Sequence, residues 1–135
     1  MNDYARRAIA CVGTPFRHQG RIIDVGLDCV GLIVGVYAIQ ELDRRDYHET
    51  PTPEHAEFLR ALLTKNFARV DVDHVDNAPE GAILAFAFGA RRRLAHLAIR
   101  TPVGMVHAIN TRGVIETPLG EPWESRFDGA YTWRV

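Results

Sequence analysis

The chain has 135 residues, of which 47% are hydrophobic and 24% are charged. This length fits one ordinary domain, and this balance is typical of a globular protein rather than of a disordered or membrane-spanning chain. We therefore expect a single domain over residues 1–135. The formal net charge of −1 gives no reason to expect a nucleic-acid or membrane-surface partner.

The chain contains two cysteines, Cys11 and Cys29, which are too few for a disulfide framework. Its N-terminal segment has no apolar h-region, so we expect synthesis in the cytoplasm without a secretory signal peptide. No apolar run reaches the roughly 18 residues that a membrane span needs. A substrate outside the cell would therefore require another route of delivery.

Helical spacing of apolar residues predicts three helices in the first half of the chain. Asn2 or Asp3 can cap the first, and a threonine followed by proline is a typical start for the third. The second follows Asp28 as its N-cap and is apolar nearly all round, which indicates burial on most sides. The predicted ranges are 2–12, 28–42 and 52–67.

From Val70 onward the apolar period changes to two, which predicts β-strands separated by short turns. The predicted strands are 82–88, 94–101, 105–110, 113–118 and 130–135. Because helices come first in the chain and strands second, the order indicates an α+β fold. In such a fold the buried central helix would pack on an antiparallel sheet.

Cys29 occupies the first helical position after the predicted cap. Catalysis by cysteine needs the thiolate, and a free thiol has a pKa of ~8.5. A helix N-terminus favours a negative charge by ~0.3–1 kcal/mol, and an imidazolium partner would supply the rest. The backbone N–H of Cys29 would also face a developing oxyanion. The alternative is a small core residue, which we expect for Cys11 because no cap, base or turn lies beside it.

Two histidines, His96 and His107, lie on neighbouring predicted strands. A turn centred between residues 102 and 103 would pair His107 with Ala98 and make the two histidines diagonal neighbours on one face. A turn centred one residue earlier would pair the two histidines directly. Only an even register, in which the two side chains point to opposite faces of the sheet, would separate them. A helix-start cysteine facing such a pair has a thiol, a base and a group that orients the base. Each histidine alone could instead be a half-buried strand residue.

The remaining histidines are expected in loops or on a helix surface, in contact with solvent. They are His18, His48, His55 and His74. His18 differs from the others because it lies in the loop that leads to Cys29. One cysteine and two histidines could bind zinc, yet the close pair spacings of zinc sites are absent and no fourth ligand suggests itself. We therefore expect no metal and no cofactor.

Several short segments follow one another in an order that is known from one protein family. Residues 13–20 (GTPFRHQG) and 27–33 (LDCVGLI) are similar to the motifs Gly-x-Pro-Tyr and Asp-Cys-Ser-Gly-Leu. Residues 96–99 (HLAI) and 105–108 (MVHA) are similar to His-Val-Gly-Ile and a later apolar-apolar-His-Ala. Residues 79–86 (PEGAILAF) stand where that family has Pro-Gly-Asp-Leu. The ordered set resembles the NlpC/p60 family of cysteine peptidases.

This resemblance implies a papain-like α+β fold and a hydrolase that acts on the peptide stems of bacterial peptidoglycan. The bond usually cleaved lies between γ-D-glutamate and the diamino acid. By position, Cys29 would be the nucleophile, His96 its base and His107 the polar group that orients the base.

The resemblance also implies substrate-binding residues. Asp28 would bind the free amine of the first alanine in the stem, and Phe16 and His18 in the preceding motif are further candidates. Three positions depart from the family pattern: Phe16 replaces the usual tyrosine, Val30 the usual serine and Ala82 the usual aspartate. None of them removes a member of the catalytic triad.

Within the family, the motifs most resemble those of single-domain peptidases from phage tails and gene-transfer agents. A virion tail would carry a cytoplasmically made peptidase to the periplasm or cell wall, and tail-tip proteins would be its partners. Two alternatives remain. The protein could be a non-catalytic tail-assembly subunit, or a related thiol amidase or acyltransferase that acts on a substrate outside the wall.

Overall fold

The computed structural model of the protein describes residues 1–39, 47 and 52–134. These residues form an α+β structure, as the order of helical and strand patterns predicts. The helices are α1 (Asp3–Ala10), α2 (Cys29–Tyr37), α3 (Pro53–Asn66) and α4 (Trp123–Arg126). The strands are β1 (Arg21–Ile22), β2 (Gly26–Leu27), β3 (Phe67–Val70), β4 (Ile83–Phe88), β5 (Arg93–Arg100), β6 (Met105–Ile109), β7 (Gly113–Thr117) and β8 (Phe127–Trp133).

Six strands form one antiparallel sheet in the order β3-β8-β4-β5-β6-β7, and β1 pairs with β2 in a separate small hairpin. The strands β4 to β7 follow each other as hairpins, and β8 returns to lie between β3 and β4. The five predicted strands correspond to β4–β8. The sequence did not predict β3, because the pairing of Phe67–Val70 with the end of the chain is decided by contacts about 65 residues apart.

Both faces of the central strands are covered. One face packs against α1, α2 and α3, and its buried residues include Leu97 on β5 and Val106 on β6. The opposite face carries Phe86, Ala98 and Met105, which pack with residues of the 3₁₀ turn Val75–Asn77 and of α4. Alternate residues of a strand point to opposite faces, so β4 to β6 lie between two apolar layers.

Helix α2 lies at the centre of the larger core, with eight of its nine residues buried. It ends at Tyr37 rather than near Leu42, so the predicted C-terminal bound is wrong. Ala38 adopts the left-handed conformation with φ 56 and its N–H bonds to the carbonyl of Val34. Ile39 is fully buried beyond this turn. The apolar pattern of the sequence therefore continues past Tyr37 and does not indicate where the helix ends. Leu42 lies outside the described residues.

The other two predicted helices are confirmed with small shifts. The side chain of Asn2 caps α1 by accepting from the N–H groups of Tyr4 and Ala5, and α1 ends at Ala10. The side chain of Thr52 caps α3 through the N–H of His55. Among the described residues, the structure has no helix with the length and apolarity required to cross a bilayer.

Candidate active site

Cys29 is the first residue of α2, and Asp28 is the N-cap, as predicted. The Asp28 backbone is extended, and its Oδ1 accepts a hydrogen bond of 2.8 Å from the N–H of Gly31. The helix therefore begins at Cys29, where backbone N–H groups have no partner within the helix. Gly31 also allows the preceding loop to approach, because an added Cβ there would lie 2.0 Å from the carbonyl oxygen of Gly20.

The two histidines of β5 and β6 meet as predicted. The strands pair Ile99 with Val106 and Arg100 with Met105, which is the register of a turn centred between residues 102 and 103. The Nε2 atom of His96 lies 2.9 Å from Nδ1 of His107. The two imidazoles therefore form a direct hydrogen bond, and Nδ1 of His96 is the nitrogen left to take a proton from elsewhere.

An irregularity in the sheet accompanies His96. Strand β4 pairs Phe86 with His96 but Ala87 with Leu94, so Ala95 is the extra residue of a β-bulge. Bulges bend a strand and re-aim the neighbouring side chain. Within the described ranges, β5 and β6 pair only at their ends beside the turn, so the strands diverge towards the histidines. The divergence leaves room for a pocket beside His96.

A pocket of about 190 Å³ brings Cys29 and His96 together at this opening. The backbone amides of Leu97, the residue after His96, and of Val30 act on the Cys29 thiol and favour its ionised form. The predicted substrate-binding residues also line the pocket, together with residues that the sequence did not single out. The full lining comprises Phe16, His18, Asp28, Cys29, Tyr47, His55, Ala95, His96, Ala108, Ile109 and Asn110.

His107 lies behind His96 and is only 1% exposed. Its Nε2 is 3.0 Å from Oγ1 of Thr117 on β7, which extends the hydrogen-bonded chain by one residue. If Nδ1 of His96 accepts a proton, its Nε2 must carry hydrogen and donate to His107. His107 then carries hydrogen on Nε2 and donates to Thr117. Sequence reasoning missed Thr117, because a threonine in a strand is common and carries no functional signal.

The ionisation of Cys29 differs from the sequence-based expectation. Burial and the charge of Asp28 raise the pKa of its thiol to about 12, although backbone hydrogen bonds from Leu97 and Val30 and the charge of Arg21 act in the opposite direction. A helix N-terminus is worth only ~0.3–1 kcal/mol, whereas one pKa unit corresponds to ~1.4 kcal/mol. Desolvation therefore outweighs the helix terminus, and the expected thiolate is not the resting form.

The histidine pair is also uncharged at neutral pH. Burial, followed by the neighbouring His107, lowers the pKa of His96 to about 3. Burial, followed by the charge of Arg112, lowers the pKa of His107 to about 4. The resting site is thus a neutral thiol beside a neutral imidazole. Such a pair can act by general-base catalysis, in which the proton moves as the sulfur attacks.

Among the described residues, the carboxylate of Asp28 has four hydrogen-bond partners. Oδ1 accepts from the Gly31 N–H and from the Arg21 guanidinium at 3.2 Å, and Oδ2 accepts from the Gln19 N–H at 2.8 Å and from the Tyr47 hydroxyl. The Arg21 and Asp28 side chains are 5% and 6% exposed. Asp28 therefore joins the helix start, the loop before it and Tyr47 into one unit. Its binding of a substrate amine stays a prediction.

Two other histidines line the pocket, and the burial of His55 corrects its assignment to solvent. His55 is 5% exposed, and its ring lies 5.9 Å from that of Tyr47. His55 precedes the fully buried Leu59 by four residues, so the two lie on the same face of α3. This spacing in the sequence could have predicted that His55 is buried. His18 is half-buried with its ring 5.5 Å from Tyr47.

His74 is exposed, as predicted, and His48 lies outside the described residues. Cys11 and Cys29 are both free thiols. Across the described part of the chain, no group of three or more His, Cys, Asp or Glu side chains is arranged to hold a metal ion. Comparison of the chain with known families finds no matching family model, and no curated protein matches it. Function must therefore be inferred from the site.

Proposed function

We propose that the protein is a cysteine peptidase of the NlpC/p60 type that hydrolyses amide bonds in peptidoglycan stem peptides. One observation carries the proposal: Cys29 at the start of α2 shares a pocket with His96, whose Nε2 is 2.9 Å from His107. The residues that the resemblance names as nucleophile, base and orienting group are therefore neighbours. The α+β arrangement is compatible with the papain-like fold that the resemblance implies.

In the proposed reaction, Nδ1 of His96 takes the thiol proton of Cys29 while the sulfur attacks the amide carbon. The oxyanion receives a hydrogen bond from the backbone N–H of Cys29, which has no partner within the helix. His96 then gives its proton to the leaving amine, and the C–N bond breaks. Water, deprotonated by His96, hydrolyses the resulting thioester and restores the thiol.

His107 has a supporting part in this scheme. The imidazolium of His96 forms only during the reaction, because its resting pKa is held near 3 by burial and by His107. As His96 becomes charged, its Nε2–H hydrogen bond to Nδ1 of His107 becomes a charge-assisted one and strengthens. The buried His107 thus fixes the ring orientation and compensates part of the cost of charging His96.

The substrate assignment draws on the resemblance and on the character of the pocket. The pocket has a volume of about 190 Å³ and is partly open to solvent. Ala95 and Ala108 provide small apolar walls, and Asp28 provides a carboxylate that an alanine amine could approach. We propose that the bond cleaved is the γ-D-glutamyl–diamino acid bond. Delivery by a phage tail, with tail-tip proteins as partners, is proposed on the resemblance alone.

Digestion of purified peptidoglycan, read by mass spectrometry of the released fragments, tests this function. We expect the wild-type protein to release stem-peptide fragments and Cys29→Ala to release none. Cys11→Ala is the matched control, because Cys11 is equally a buried free thiol and lies outside the pocket lining. Release by Cys29→Ala at the wild-type rate would contradict the proposal.

The same proteins incubated with lipid and amino-acid amides distinguish the alternative thiol enzyme. Cleavage of such amides that needs Cys29, without cleavage of peptidoglycan, would replace a wall substrate with a non-wall one. If the protein cleaves neither class, and if a phage that carries Cys29→Ala keeps its infectivity, the non-catalytic tail subunit would be favoured.

A further inference from the structure

Trp123, the first residue of α4, packs on the histidine pair. Its ring is stacked on His96, with centroids 4.9 Å apart and planes 28° apart. It meets His107 edge-on at 5.1 Å. Two aromatic residues of β4 hold the indole from the sheet side, Phe86 at 5.2 Å and Phe88 at 5.8 Å. One indole thus contacts both rings of the hydrogen-bonded pair.

Trp123 lies outside the catalytic pocket. Of the described residues that line this pocket, none belongs to α4. The ring of His96 therefore has three different surroundings: an edge that bonds to His107, a face covered by Trp123, and the pocket that it shares with Cys29. Because Trp123 is not among the described residues that line the pocket, we expect any effect of the indole on chemistry to pass through His96.

We propose that Trp123 is a positioning residue, which holds the imidazole of His96 in the plane that presents Nδ1 to Cys29 and keeps water from the His96–His107 hydrogen bond. The proposal deepens the proposed function, because it rests on His96 acting as the base for Cys29. It adds a residue of α4 to a hydrogen-bonded chain of His96, His107 and Thr117 that is otherwise built from β5, β6 and β7.

Rotation of the imidazole is the first reason. The second side-chain torsion of histidine is broad and roughly two-fold, so one hydrogen bond at Nε2 restricts the ring only in part. An indole stacked on the ring face removes much of the remaining freedom. A displaced base is costly, because a misplacement of about 1 Å can reduce the rate roughly a hundredfold.

Exclusion of water is the second reason. A hydrogen bond is electrostatically stronger in a dry site than in water, and water would compete for Nε2 of His96. Burial is the largest cause of the low pKa of His96, and the stacked indole contributes to this burial. Removal of the indole should therefore hydrate the imidazolium and raise the pKa.

The charged and titratable groups around His96 allow a clear expectation for pH. His107 on β6 adjoins it, and Arg112 acts on His107. The titratable groups that share the pocket of His96 are Cys29, Asp28, His18, Tyr47 and His55. On α4 itself, Glu124 is exposed and the guanidinium of Arg126 lies over the Phe88 ring at 5.7 Å. Replacement of Trp123 by a neutral residue changes none of these charges. A change in the pKa of His96 would therefore result from loss of the indole that covers its ring face.

The test uses Trp123→Leu, which removes the ring, and Trp123→Phe, which keeps an aromatic face. Histidine side-chain NMR on the full chain gives the titration and tautomer of His96 and His107. For Trp123→Leu we expect the pKa of His96 to rise by about one pH unit or more and its Nε2 tautomer to become mixed. Trp123→Phe should lie between this variant and the wild type.

Trp133 provides the matched control, because it is the only other tryptophan in the sequence and packs on Tyr37 and Phe67, away from the histidines. Trp133→Leu should lower the melting temperature without moving the His96 titration. A folded Trp123→Leu in which the pKa of His96 stays or falls and the tautomer stays fixed would overturn the proposal. If Trp123→Leu does not fold, Trp123→Phe carries the same comparison.

Hydrolysis of stem peptides adds the catalytic readout. We expect Trp123→Leu to lower kcat by roughly ten- to a hundredfold with little change in KM, because the indole is not among the described residues that line the pocket. An unchanged kcat with a shifted titration would overturn the positioning role. If the wild-type protein cleaves no stem peptide, the proposed function fails, whereas the NMR titration still decides whether Trp123 orders His96.

Discussion

The two cysteines of this chain are both buried free thiols at helix ends, yet their settings are opposite. Cys11 is the C-cap of α1 and is 1% exposed, and its thiol donates to the carbonyl of Arg7 at 3.4 Å. Cys29 is the first residue of α2 and is 9% exposed, and it lines a pocket with His96. One thiol is satisfied by its own helix, and the other is beside a base.

Ionisation alone does not separate the two thiols. Burial raises the pKa of both, and a nearby carboxylate, Asp24 for Cys11 and Asp28 for Cys29, raises it further. The helix terminus favours a charge at Cys29 by far less than burial costs there. What distinguishes Cys29 is access to a pocket and a hydrogen-bonded histidine pair that can take its proton. A helix-start cysteine is thus a candidate nucleophile only in the presence of its base.

Removal of the base is the largest expected effect. His96→Ala should lower kcat/KM for stem peptides by roughly 10²–10⁴-fold, because the neutral thiol then loses the group that accepts its proton. The exposed His74→Ala is the control and should keep wild-type activity. Steady-state hydrolysis with mass-spectrometric detection measures both. Equal activity of the two variants would remove the distinction between Cys29 and Cys11.

The histidine pair should also make stability depend on pH. Unfolded histidines bind a proton near pH 6.5, whereas folded His96 and His107 do so only near pH 3 and pH 4. The unfolded state therefore gains protons first as the pH falls, and the folded state loses stability from about pH 6.5 downward. Each histidine contributes up to ~1.4 kcal/mol per pH unit in this window.

Urea unfolding at several pH values between 4.5 and 7, chosen to lie within the window set by these histidines, measures this dependence. His107→Asn should reduce the slope of the unfolding free energy against pH by about one histidine's share. Cys11→Ala should leave the slope unchanged, since Cys11 does not titrate in this range. A slope in His107→Asn that equals the wild-type slope would show that folded His107 binds its proton at the same pH as an unfolded histidine, against the lowered pKa.

The smallest effect is expected at Thr117. Thr117→Val removes the partner of His107 Nε2 and keeps the side-chain shape, whereas Thr117→Ser keeps the hydroxyl. One hydrogen bond is worth about 0.5–1.5 kcal/mol, so kcat should fall roughly two- to tenfold in the valine variant with little change in KM. The serine variant should retain wild-type kcat. Equal kcat values for valine and serine would exclude Thr117 from the positioning chain.

Much of the site could be predicted because its determinants are local in sequence. Asp28 followed by an apolar helical pattern fixed the start of α2 and the place of Cys29. The turn after β5 determined the register that brings His96 and His107 onto one face. The same local reasoning failed at Ala38, because the apolar pattern continues through the left-handed residue that ends α2.

The remaining parts of the site depend on residues far apart in the chain. Tyr47 bonds to Asp28 across 19 positions, and Trp123 reaches His96 from a segment that carries no strong pattern of its own. His55 turns into the pocket because α3 packs with Leu59 inward. The contacts of Tyr47 and Trp123 leave no periodic trace in the sequence, because each depends on how finished elements pack, whereas His55 shares the helical spacing of Leu59.

The sequence by itself determined the α+β class and the cysteine at a helix start, and it favoured two histidines on one face of a hairpin, since caps, periodicity and turns act over a few residues. Only the tertiary structure decided that the thiol and the imidazoles rest uncharged. Their pKa values depend on desolvation by every element around them. Packing also places Thr117 and Trp123 behind the base. Neither the spacing nor the type of these two residues predicts this position from the sequence.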